Sequence, residues 1–405
     1  MIPRVAPSSP HRVGADRAPV ITGLGLVTPL GLGAWQTASA LLAGRTTADR
    51  LAELPEDTDP VSLARATGGS AFGAFSAVDP AVDLAERAAR EALYDAGLDP
   101  GAAPCIVASS KGAVMALLDE RRPERRAACA AMSPHGYLCH HLRERVGLAE
   151  ARSVVAACAT GIAALHHAWR EIVDGRAERV LVVAVESALH PLFVWSYRRL
   201  GVLAPTPPGA AAQEHVARPL DRRRNGFTLC ECAAAVMIES SEASTRRRAK
   251  HVHGRLLGAA MGSHAFDMVR SPERFDTLTR LARAVTPAET PISLLHPHAT
   301  GTQDNDEREL AALAAALGER TRETPVYAAK GAFGHPLGAA GVVNAVLGCL
   351  FARIGERPPM PWLDEPIECA FPLAREKSMV APGAQLCVAA GFGGHVGAVC
   401  FSAGD

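Results

Sequence analysis

Apolar positions along this chain fall into two rhythms, short runs and helical stripes. Residues 19–25, 105–108, 152–157, 179–185 and 232–239 are short apolar runs bounded by turn residues. Continuous runs of this kind predict strands covered on both faces. Residues 33–42, 83–97 and the stretch after Cys158 carry apolar residues at helical spacing, and 83–97 ends on a glycine stop. Residues 46–79 lack periodicity and are rich in Gly, Pro and Asp, so they read as loop, and 189–224 reads as an irregular Pro- and Arg-rich insertion. The second half repeats the style. Strands are expected at 252–260, 292–295, 326–329, 385–390 and 396–402, and helices at 275–285, 306–317 and 339–354. Strands alternating with helices predict a layered α/β fold. The shared order of elements suggests two related halves, 18–250 and 251–405.

Composition narrows the class. The chain has 405 residues and formal net charge +0, with 48% apolar and 5% aromatic residues. A balanced charge gives no attraction to nucleic acid or to a lipid surface. Residues 1–17 are rich in Pro, Ser and Arg without an apolar stretch, so they read as a disordered extension rather than a secretory signal. No run is expected to span a membrane. The ten cysteines are scattered, mostly in apolar runs, as reduced thiols of a cytoplasmic protein would be. Cys230-Glu231-Cys232 is too tightly spaced for a zinc knuckle, and no metal site is expected there. Lysine is scarce: Lys111, Lys250, Lys330 and Lys377 stand against an Arg-dominated background.

Cys158 closes an apolar run and opens a helical pattern, Ala159-Thr160-Gly161-Ile162. The first-turn N–H groups of a helix are unpaired and carry partial positive charge. A thiol held there is expected to lean toward thiolate, the nucleophilic form. Three distant segments carry other reactive or turn-forming residues: His298-Ala299-Thr300-Gly301-Thr302, Lys330 with Gly334-His335, and Gly391-Phe392-Gly393-Gly394. Lys330 follows an apolar run and precedes a glycine-rich turn, and a buried lysine needs a partner.

With these segments in view, residues 20–401 resemble the β-ketoacyl synthase (condensing enzyme) family of the thiolase fold. The landmarks keep the family's order. Val20 to Gly31 resembles the opening strand and turn, and Ala157-Cys158-Ala159-Thr160-Gly161 the nucleophile motif. Arg218-Pro219-Leu220-Asp221 with Asn225-Gly226-Phe227 resembles the middle signature. His298 to Thr302 with Asn305, Asp306 and Glu309 resembles the first histidine motif, Lys330 to Gly341 the lysine and second histidine motif, and Gly391 to Gly394 the C-terminal glycine loop. Each motif is weak alone; their ordered combination is specific.

The resemblance implies a thiolase-like α/β fold, two duplicated βαβαβαββ halves in an α-β-α-β-α layered arrangement. It implies that Cys158 accepts an acyl group as a thioester. His298 and His335, as neutral hydrogen-bond donors, would stabilise the charge that forms when malonyl carboxylate leaves. Lys330 would orient them, with Glu309 as its partner. Thr300 and Thr302 would line a phosphopantetheine channel, and Gly391 and Gly393 would bring backbone near the thioester. The N–H groups of Cys158 and Phe392 would form an oxyanion hole, and Phe392 would gate acyl entry. No bound metal or cofactor is implied; substrates arrive on the phosphopantetheine of an acyl carrier protein. The partners implied are that carrier and a second subunit, in a homodimer or a heterodimer with a related ketosynthase-like chain. Arg121, Arg122, Arg125 and Arg126 either face that carrier or form a solvated helix face.

Departures from the pattern are local. His395 and Val396 follow the glycine loop where Thr-Asn is common, Cys230 and Cys232 replace glycines around Glu231, and Ala299 replaces a usual glycine. They favour a specialised polyketide or polyene role over housekeeping fatty-acid synthesis. The alternatives are a non-decarboxylating acyltransferase, which intact His298 and His335 disfavour, and a non-catalytic chain-length partner, which Cys158 disfavours. A cysteine hydrolase fits a lysine and two histidines less well.

Overall fold

In the computed structural model, residues 17–47, 51–52, 63–64, 78–205 and 217–404 are described. Residues 1–16 and most of 48–77 lie outside them, so the expected N-terminal extension and much of the expected loop do too.

Nine strands form the main sheet: β1 (Pro19–Val27), β2 (Cys105–Ala108), β3 (Ala151–Val154), β4 (Arg179–Glu186), β5 (Cys232–Ser240), β6 (Gly254–Ser263), β7 (Ile292–His296), β8 (Ala384–Gly391) and β9 (His395–Ala403). Their order is β7-β8-β9-β6-β1-β5-β4-β2-β3. The first half pairs β2 parallel to both β3 and β4, β4 antiparallel to β5, and β5 antiparallel to β1. The second half repeats this pattern. Residue Val326 bridges β7 in parallel, β7 runs parallel to β8, β8 antiparallel to β9, and β9 antiparallel to β6. The halves meet where Val20 and Ile21 of β1 pair with Arg255 and Gly254 of β6. The duplication is therefore visible in topology, although the sequence shows no short repeat.

Burial follows the layers. In β4, Val180, Val182 and Ala184 join the core facing the central helices, while Leu181, Val183 and Val185 join the core under the outer helices. A strand sandwiched in this way has no polar face, which is why the sequence reads as a continuous apolar run. Helices Pro80–Ala96 and Pro123–Val146 cover the outer face of the first half, and Asp276–Val285 and Asp306–Leu317 that of the second. Helices Thr160–Val173 and Ala340–Ile354 lie between the halves, giving the α-β-α-β-α arrangement. They cross at glycines: a Cβ on Gly161 would meet the Gly338 carbonyl at 3.0 Å, and one on Gly341 the Ile162 nitrogen at 2.7 Å.

Several expectations change. Leu337–Ile354 is long and apolar enough to cross a membrane by length and composition, contrary to the sequence reading, but 83% of it is buried in the protein as a core helix. Residues 191–199, read as irregular, form helix Pro191–Arg199, started by Pro191 and capped by the His190 side chain. Helix Pro123–Val146 has weak apolar periodicity and a kink at Ser133 (φ 63°) before Pro134, which hides it in the sequence. The strand expected at 326–329 shrinks to the Val326 bridge, because Lys330–Phe333 turns into a short helix.

Candidate active site

The site collects at the ends of strands from both halves. Cys158 sits in a tight 3-10 turn, Ala157–Ala159, just before helix Thr160–Val173. Ala157 is held at φ 47°, a conformation that costs a non-glycine residue free energy and persists only where the surroundings impose it. Thr160 imposes it. Its hydroxyl donates to the Ala157 carbonyl at 2.6 Å and accepts from the Ala156 N–H at 2.8 Å. Gly391 closes the turn from the other side, since a Cβ there would lie 2.9 Å from both the Ala156 oxygen and the Cys158 nitrogen.

The Cys158 sulfur and ring nitrogens of His298 and His335 all lie within 4.8 Å of one another. The two imidazoles meet edge to face at 5.2 Å, and Phe227 packs edge-on against His335 at 4.8 Å. By distance alone this trio could hold a metal ion, although the Lys330 ammonium beside it opposes a dication. Both histidines are buried, and burial followed by the Lys330 charge holds each well below the ordinary imidazole range. They are neutral imidazoles, able to donate from one ring nitrogen.

Burial pushes the Cys158 thiol up to about 11. Lys330 pulls it down, Glu186 pushes it up and Lys111 pulls it down, each by less than burial does. The sequence reading expected the opposite direction from the helix terminus; desolvation of a thiolate outweighs it.

His298 is fixed through its own peptide groups. Its N–H donates to Glu309 Oε1, and the Ala299 N–H donates to Glu309 Oε2 at 2.8 Å. Asn305 Nδ2 donates to the same carboxylate at 2.9 Å. From the other side Lys330 Nζ donates to the His298 carbonyl. The expected direct Lys330–Glu309 pair is therefore not formed. The two charges act on each other across a shared backbone segment, Lys330 holding its carbonyl and Glu309 its N–H groups. Ala299, where a glycine is usual, sits at φ 36° within that grip.

A cleft of about 280 Å³ reaches the cluster at His298 and is lined also by Thr300, Thr302, Gly391 and Phe392; Cys158 and His335 lie behind that wall. The Thr300 and Thr302 hydroxyls are 2.9 Å apart. Phe392 is half-buried and rests on Tyr197, with ring centroids 6.3 Å apart. Gly393 departs from its expected place. It is exposed, its N–H donates to the Met268 carbonyl at 2.8 Å, and it does not line the cleft. His395 begins β9, is half-buried and does not line the cleft. Cys230 and Cys232 are buried thiols driven upward by burial. The sequence reading missed Thr160 as a clamp, and it missed Glu186, Lys111 and Tyr197 around Cys158. Only the scarcity of lysine marked Lys111.

Comparison with known proteins gives the family. Residues 17–244 match the family model of the beta-ketoacyl synthase N-terminal domain, and 250–363 that of the C-terminal domain. The tetracenomycin polyketide synthase ketoacyl synthase alpha subunit of Streptomyces glaucescens is 29% identical, over 94% of this chain and 96% of its own length. A putative polyketide beta-ketoacyl synthase 1 of Streptomyces halstedii is 30% identical, over 95% and 97%. A solved type II PKS acyl-carrier protein in complex with its ketosynthase bound to the hexaketide superposes with a TM-score of 0.84 at 22% identity, covering 96% of this chain and 100% of that one. With its fold, its paired domains and its full-length relatives in agreement, the chain belongs to the β-ketoacyl synthase family.

Proposed function

We propose that Cys158, His298 and His335 carry out a decarboxylative condensation of carrier-bound thioesters. The observation that carries this reading is the one thiol and two neutral imidazoles converging within 4.8 Å, with His298 in the wall of a cleft. In the first step the Cys158 thiolate attacks an acyl-carrier thioester. A new S–C bond forms as the carrier's S–C bond breaks, and the carrier sulfur leaves as a thiol with the proton that Cys158 gave up. In the second, a malonyl-carrier thioester occupies the cleft, its phosphopantetheine arm along Thr300 and Thr302. His298 and His335 donate hydrogen bonds to the thioester oxygen as carbon dioxide departs and charge accumulates there. The resulting carbanion attacks the Cys158 thioester; a C–C bond forms as the S–C bond to Cys158 breaks, and the β-ketoacyl carrier is released with Cys158 regenerated as thiolate. Splitting the reaction at a covalent intermediate replaces one hard step by two easier ones.

Lys330 and Glu309 are positioning residues that hold the His298 backbone. The N–H groups of Cys158 and Phe392 form the oxyanion hole, and Phe392 gates the acyl pocket from its place on Tyr197. The reading uses no bound metal or cofactor. Each half, 18–250 and 251–405, supplies part of the site. All ten cysteines are free, as suits the reducing cytoplasm, where we place the reaction. An acyl carrier protein is the donor. The relatives named above make a polyketide-type pathway and a dimer, with a second copy or a related subunit, the natural setting.

The histidine roles separate from the nucleophile role experimentally. His298→Ala and His335→Ala should still take up acyl groups on Cys158. Release of labelled carbon dioxide from a malonyl-carrier thioester should fall on the order of 10²-fold or more. Undiminished release in both variants would remove the histidines from the reaction.

A further inference from the structure

The residues around Cys158 include one group that an apolar acyl pocket does not need. Lys111 follows β2, and its ammonium lies 5.8 Å from the centre of the Phe193 ring and 6.0 Å from that of Tyr197. Among the described residues that ammonium forms no hydrogen bond or ion pair. Tyr197 belongs to the apolar cluster that contains Cys158, Leu189, Val194, Phe227 and Leu337. The Lys111 charge reaches both Cys158 and Glu186. Glu186 ends β4 and is 1% exposed. Its Oε1 accepts from the Ser110 N–H and, at 3.2 Å, from the Gly338 N–H. Its Oε2 is buried with no hydrogen bond of ordinary geometry.

A cation on aromatic faces is held, and its three donors, which no protein acceptor meets among the described residues, are left to water or to a bound chain. A purely hydrocarbon chain entering this cluster would strip water from Lys111 without replacing its hydrogen bonds. Sites built around unsatisfied polar groups reject analogues that lack the matching group far more strongly than apolar pockets reject a size change. Resting on the acyl-enzyme reading above, we propose that Lys111 forms a specificity subsite for acyl chains carrying a hydrogen-bond-accepting carbonyl oxygen, seated over Phe193 and Tyr197 beside Glu186. The oxygen belongs to a keto group or a carboxylate, and a saturated chain is the disfavoured substrate.

The test is the rate of Cys158 acylation, followed by intact-protein mass, with three pantetheine thioesters: hexanoyl, 3-oxohexanoyl and adipoyl. The wild-type protein should load at least one oxygenated chain roughly tenfold or more faster than hexanoyl, and the faster of the two identifies the oxygen as keto or carboxylate. Lys111→Met should abolish that ratio, with any slowing from the lost charge near Cys158 shared equally by all three chains, and Lys111→Arg should restore it. A Lys111→Met variant with unchanged thermal unfolding keeps the comparison valid, because the residue is only partly buried. Equal loading of all three chains by the wild type, or an oxygenated preference that survives in Lys111→Met, overturns the subsite. If no chain loads although iodoacetamide still modifies Cys158, the acyl-enzyme reading itself fails and the subsite with it.

Discussion

Cys158 is governed by desolvation against charge. Burial leaves its thiol at about 11, and the strongest mitigating charge is Lys330. The thiolate fraction of such a group grows about tenfold per pH unit below its pKa. Alkylation of Cys158 by iodoacetamide, read by peptide mass, should therefore climb steadily from pH 7 to 10; a plateau below pH 8 would contradict burial as the dominant influence. Lys330→Met removes a charge that lowers this pKa, so alkylation at pH 8 should slow. Gly391 acts by absence of a side chain. Gly391→Ala places a carbon 2.9 Å from the Cys158 nitrogen, and the backbone must move. Displacements of this kind cost about 10²-fold in rate, measured here as acyl transfer to Cys158.

At the scale of elements, the segment from β7 to helix Asp306–Leu317 works as one unit. Glu309 sits in the first turn of that helix and reaches back to three donors, the N–H groups of His298 and Ala299 and the Asn305 amide. Glu309→Ala strands these buried donors, and a loss of about 2–4 kcal/mol in unfolding free energy is expected from denaturant titration. The same variant should also lose acyl condensation, because His298 loses its anchor. Much of this unit was legible: helix 306–317 was read with its observed bounds, and the glycine turns marked the loops. The route of Lys330 to the His298 carbonyl was not legible, because a long flexible side chain's target depends on packing between distant strands. Nor was the Thr160 clamp, whose partners are backbone atoms. Helix Pro123–Val146 was missed because its Arg- and His-rich face and the Ser133 kink erase the apolar stripe on which sequence reading depends.

For the whole molecule, the repeated strand order explains why the proposed catalytic groups, far apart in sequence, converge. The loop after β3 carries Cys158, and the segment after its counterpart Val326 carries Lys330 and His335; the loop after β7 carries His298. The ordered motifs were enough to read the α/β class and the layering, since burial on both faces writes itself as apolar runs. The topology that joins the halves was not, because two residue pairs make that junction. β3 ends the main sheet, and Val155 just beyond it is 52% exposed. An open edge strand is a template for pairing with another chain. If the dimer proposed above pairs through this edge, Val154→Pro should shift it toward monomer in analytical ultracentrifugation, and an unchanged mass would overturn pairing through β3.

The central claim is that acyl transfer to Cys158 precedes decarboxylative attack on it. The most direct measurement is intact-protein mass after incubation with acyl-loaded carrier protein and again after malonyl-loaded carrier is added, with Cys158→Ala as control. The account predicts an acyl adduct on the wild type alone that disappears with the malonyl carrier as a β-ketoacyl carrier forms. An adduct that persists in Cys158→Ala, or one that leaves only by transfer to another acceptor with no β-ketoacyl product, would contradict it.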